Sequence, residues 1–140
     1  MRNTALFYLL FGILMVSCQA QTEQGDSEKI QLIGLSEEHP DKIRMEHLLN
    51  NYDQEFVATE PEMNLLKSED LIQGKYAFQT KDSAISILLI FCKDQADALA
   101  VSETDFVNQA RGVNGATLFV VTGEDENQVN EALSYFAGEE

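Results

Sequence analysis

Tryptophan is absent from this chain, and cysteine, proline and histidine appear only twice each among 140 residues. Basic residues are scarce too: nine Lys and Arg stand against twenty-four Asp and Glu, a net charge of −15. Binding to nucleic acid through phosphate contacts needs a cationic face, so that partner class is excluded. Electrostatic adhesion to anionic lipid is excluded on the same ground. The acids are spread along the chain, as expected of a charged, soluble surface. Phe91-Cys92-Lys93-Asp94 offers no Cys-x-x-Cys pair, which removes thioredoxin-type redox chemistry. With no Trp, the core must be built from Leu, Ile, Val, Phe and Tyr.

Other absences concern reaction centres. His39 and His47 are the only histidines, and zinc usually takes three or four ligands. A solvated His39 beside Pro40 and a helix-surface His47 are the expectation. Glu124-Asp125-Glu126 lacks the alternating oxygens and the following Gly of a calcium loop, and helix capping accounts for it. Gly112-Val113-Asn114-Gly115 precedes a strand rather than a helix, so no helix N-terminus faces a phosphate there. No Gly-x-Ser-x-Gly elbow exists. Cys92 ends an apolar run and reads as a small buried hydrophobe. No catalytic, metal or cofactor-binding residue is therefore assigned, and no cofactor is expected. A site assembled only in three dimensions would draw on Cys92, His39, His47, Tyr76 and Arg111.

What the chain does have is a distinctive start. Met1-Arg2-Asn3 carries one positive charge, and an apolar run follows from Ala5 to Val16, broken only by Gly12. About a dozen apolar residues suit a signal peptide and fall short of the ~20 of a transmembrane helix. The run stops at Met15-Val16-Ser17-Cys18. This resembles the lipobox of bacterial lipoproteins, with Met15 in place of the usual Leu. The resemblance implies cleavage after residue 17, a diacylglyceryl group on Cys18, and a cell-envelope location. Several acyl chains hold a protein to a bilayer far better than one. Gln19, where that family's inner-membrane retention signal has Asp, favours an outer membrane if the host has one. Residues 18–28 are almost without apolar content and read as a flexible tether. An intramolecular disulfide is then impossible, because Cys92 stands alone.

Residues 29–140 read as a single domain of about 110 residues. Ile30 and Leu32 alternate with Gln31 and Ile33, which suggests a short strand. Met45, Leu48, Leu49, Tyr52 and Phe56 form one stripe of a helix over 41–56. Thr59 and Glu62 have capping-box spacing for a short helix over 60–67. Tyr76, Phe78 and Thr80 mark a half-buried strand, and residues 84–92 a central strand apolar on both faces. A helix over 95–111 ends at Gly112, with a possible restart at Ser102. Asn114-Gly115 makes a turn, residues 116–122 a strand, and Asp125 opens a final helix. The order is that of an α+β two-layer sandwich, ferredoxin-like βαββαβ with an extra C-terminal helix. A thioredoxin-like or other three-layer arrangement is the alternative. The expected role is a non-enzymatic binding module, tied to the membrane by its lipidated N-terminus, with another envelope protein as partner. A small-molecule or metal-binding domain or small enzyme is the alternative.

Overall fold

Two stretches of β-branched and aromatic residues, 85–92 and 117–123, form the centre of a five-stranded antiparallel sheet in the order β1-β2-β3-β5-β4. The computed structural model describes residues 30–61 and 66–138. The expected signal peptide, Cys18 and the tether lie outside these residues, as do residues 62–65 of the expected helix over 60–67. The elements are α1 (Lys42–Asn50), β1 (Phe56–Thr59), a 3-10 turn (Glu69–Leu71), β2 (Ile72–Thr80), β3 (Ile85–Cys92), α2 (Gln95–Asp105), β4 (Arg111–Asn114), β5 (Thr117–Gly123) and α3 (Glu126–Phe136).

Successive side chains of a strand point to opposite faces, and β3 is apolar on both. Ile85, Ile87, Leu89 and Phe91 join Phe119 and Val121 of β5 in a first cluster with α1 and α3, through Met45, Leu49, Val129, Ala132 and Phe136. Ile90 and Cys92 join Leu118 and Val120 in a second cluster with α2, through Ala98 and Val101. Helices thus lie against both faces of the β3–β5 region. Toward β2 the second face opens into a recess lined by Ala77, Gln79, Ser86, Leu88 and Thr122.

The α+β class holds, but the sheet does not have the ferredoxin-like order. Residues 30–35 are not a strand. Leu35 N–H returns to Leu32 O at 3.4 Å, Gly34 has φ +94°, and both leucines are buried. Their spacing of three belongs to a turn. A side chain at position 34 would be strained, because L-residues rarely adopt positive φ. Two short strands were not foreseen: β1 begins at Phe56, the last residue of the helix expected over 41–56, and β4 at Arg111, the last of the helix expected over 95–111. Helix α1 ends at Asn50 rather than Phe56. Asn51 closes it, its amide donating to His47 O at 2.8 Å, a local bond that competes with helix. Tyr52 and Phe56 still pack on the same cluster. Helix α2 ends at Asp105, and Gly112 lies within β4 instead of stopping a helix. A Cβ at Gly112 would meet the Phe119 ring at 2.5 Å, so glycine makes room for the aromatic across the pair.

Both β3 and β4 run antiparallel to β5. They are therefore parallel to each other, joined by α2 with β5 between them. Helix α3 starts as expected: Asp125 caps it, accepting from Asn127 N–H at 2.9 Å. Asp125 and Gln128 have the spacing of a capping box, but the box does not close, since Gln128 Oε1 is buried without a hydrogen-bond partner among the described residues.

Candidate functional site

The polar residues singled out in the sequence are spent on holding the fold. His39 is buried, not solvated. Its Nε2–H donates to the Cys92 carbonyl at 2.7 Å, and its Nδ1 accepts from Asp41 N–H at 3.1 Å. Both nitrogens are satisfied in one neutral tautomer. Asp41, only 2 % exposed, starts α1 but does not cap it. Its carboxylate accepts from Ala116 N–H at 2.7 Å and from the Thr117 hydroxyl at 2.8 Å, and it pairs with Arg44. This node pins the segment before α1 to the β4–β5 turn and the end of β3.

Cys92 is fully buried. Burial first, then Asp97 and Asp94, push its thiol up to about 11, so at neutral pH almost no thiolate forms and nucleophilic chemistry is disfavoured. Tyr76 donates to Ile33 O at 2.8 Å and, like His39, meets the Phe91 ring edge-on. Arg111 reaches Ser102 Oγ and the carbonyls of Val107 and Gln109. His47, exposed as expected, meets the Asn51 amide at 3.2 Å. Only His39 and Cys92 of these five are joined, and through a backbone carbonyl. Among the described residues no group of three or more His, Cys, Asp or Glu is arranged to hold a metal ion. Among the same residues, no helix is long and apolar enough to cross a membrane.

A further surface feature is built from residues that the sequence did not single out as functional. An open cleft of about 1010 Å³ lies between the end of α1 and the outer side of α3. Asn51, Tyr52 and Asp53 form one wall; Asn127, Asn130, Glu131, Ser134 and Tyr135 form the other. The α3 residues fall at i, i+3, i+4, i+7 and i+8, one face of a helix. Aromatic packing holds the walls together. Tyr52 lies 5.0 Å from Phe56, 5.0 Å from Tyr135 and 5.9 Å from Phe136 between ring centroids. The Tyr135 hydroxyl donates to Leu48 O at 2.7 Å. Burial, then Glu131 and Asp53, raise the Tyr52 phenol above its ordinary value, which keeps it a neutral O–H at physiological pH. The signal that could have found this wall is the run of Asn and Ser on the outer face of the final helix.

No known family model matches the chain, and no curated protein or solved structure matches it either.

Proposed function

We propose that this chain is a lipid-anchored cell-envelope domain, held to the membrane through Cys18, that works by binding another envelope protein. The observation that carries the reading is the apolar run ending in Ser17-Cys18, followed by a polar tether. Gln19 after the cysteine favours the outer membrane where the host has one. A binding role rather than catalysis draws support from the commitments of His39 and Asp41 and the raised thiol of Cys92. The parallel β3 and β4, connected by α2 around β5, are the part of the sheet that a ferredoxin-like origin would explain.

Among the described residues no strand pairs with the outer edge of β1, and that edge is the contact surface we favour. Lys81 N–H donates to Glu55 O at 3.1 Å. In the register Phe56↔Thr80 the hydrogen-bonded pairs continue as Val57/Gln79 and Thr59/Ala77. Phe56 and Ala58 therefore turn their N–H and C=O groups to the open side, where a partner strand can add. The test is fractionation and in-cell cross-linking of the tagged protein beside Cys18→Ala. Wild type should sediment with membranes and capture one dominant partner, and the variant should lose both. A variant that still fractionates with membranes at wild-type levels overturns the anchor.

A further inference from the structure

We infer that the α1/α3 cleft is a binding site for an uncharged, polyhydroxylated ligand, a saccharide chain laid along α3. The inference goes beyond the anchored, protein-binding role and depends on neither the anchor nor the β1 edge.

Helix economy is the first argument. On an exposed helix face packing does not choose the residue, and strong helix formers are the default. Asn130 and Ser134 sit in the body of α3, exposed, and both are poorer helix formers than Ala, Glu or Lys. Asn127, one turn earlier, continues the same ridge. Helix stability has been given up along the one face that lines the cleft.

The second argument is hydrogen-bonding capacity. Among the described residues, no hydrogen bond engages the side chains of Asn127, Asn130, Ser134, Tyr52, Glu131 or Asp53. Amides and hydroxyls both donate and accept, while the two carboxylates accept. A ligand that satisfies this set must itself donate and accept over a short distance, as neighbouring sugar hydroxyls do. An anion is repelled by Asp53, Glu131 and a net charge of −15, and no Lys or Arg lines the cleft. A cationic side chain would use the acceptors and leave the Asn127 and Asn130 donors facing positive charge. An apolar ligand finds no aliphatic side chain to pack on. The rings of Tyr52 and Tyr135 supply amphipathic surface for the C–H face of a sugar ring, and their contacts with Phe56 and Phe136 fix them beforehand, which lowers the ordering cost of binding. The cleft is open, so an extended chain of several sugars fits it better than a buried monosaccharide.

The test uses the full chain in a sugar-free zwitterionic detergent, titrated with glucose hexaoses of α-1,4 and β-1,4 linkage, with the β-1,4 hexaose of N-acetylglucosamine, and with hexalysine. Binding is followed by NMR of the asparagine side-chain amides. One or more hexaoses should shift the Asn127 and Asn130 amides and bind at least tenfold more tightly than the matching monosaccharide. The double variant Asn130→Ala, Ser134→Ala should lose at least tenfold in affinity while its melting temperature rises by ~4 °C. That opposition separates a ligand site from a structural role, which would lower both. No shift with any hexaose, a cleft that answers hexalysine alone, or a more stable variant that binds as wild type overturns the proposal. Each of these leaves the result for Cys18→Ala untouched, so the two readings fail separately.

Discussion

The node around Asp41 and the cleft around Asn130 use similar side chains in opposite ways. At the node, a carboxylate, an imidazole and a hydroxyl are buried and bonded to one another or to backbone. At the cleft, the side chains of Asp53, Glu131, Asn127, Asn130 and Ser134 have no hydrogen-bond partner among the described residues. Burial explains the difference. A polar group removed from water must find a partner or cost roughly 1–3 kcal/mol, so the node is satisfied and rigid. An exposed polar group bears no such cost and is available to a ligand. Removing a group should therefore destabilise the protein at the node and not at the cleft.

The largest effect is expected at Asp41. In Asp41→Ala the Ala116 N–H and the Thr117 hydroxyl lose their acceptor inside the fold, while the half-exposed Arg44 is left to water. A loss of about 3 kcal/mol should follow, read as a lower urea midpoint with unchanged slope. A loss below about 1 kcal/mol would show that the node relaxes or admits water, and the contrast with the cleft would weaken.

A middle-sized effect comes from pH. The Cys92 thiol ionises near 9 when exposed and at about 11 when folded. A raised folded pKa gives stability that is complete below pH 9 and is lost as pH rises toward 11. Tyr52 and Tyr76 are also raised, chiefly by burial, and act in the same direction above about pH 10. Alkaline unfolding should cost on the order of 2 kcal/mol across that window, and Cys92→Val should remove most of the part that begins near pH 9. An unchanged alkaline profile in that variant would assign the loss to the tyrosines.

The strongest elements were legible for a plain reason. Residues 84–92 and 116–122 are β-branched on both faces, and Val129, Ala132 and Phe136 mark α3 by helical spacing. Strand β1 was hidden because Phe56 fits the helical stripe that starts at Met45, and burial alone does not tell a helix from a chain that turns back. Strand β4 is four half-buried residues, Arg-Gly-Val-Asn, with no alternation to read. The node could not be seen, since Asp41 and Thr117 lie 76 positions apart. The cleft was not foreseen, although helical spacing puts Asn127, Asn130 and Ser134 of one wall on a single outer face. Its other wall depended on knowing that α1 stops at Asn50, which releases Tyr52 and Asp53 to face α3.

The smallest effect sharpens the comparison from the cleft side. Glu131→Gln removes a carboxylate that holds no structural partner among the described residues, so the unfolding free energy should stay within about 0.5 kcal/mol of wild type. The same change should be visible in Tyr52, whose phenol is raised first by burial and then by Glu131 and Asp53. With one negative neighbour gone, Tyr52 should ionise at a lower pH than in wild type while remaining above its ordinary value, because burial persists. Ultraviolet titration of tyrosinate, with Tyr52→Phe to assign the signal, reads that shift directly. A stable variant with a shifted phenol means that the charge acts on the cleft and not on the fold. A destabilised one would put Glu131 on the same footing as Asp41 and remove the physical distinction between the two regions.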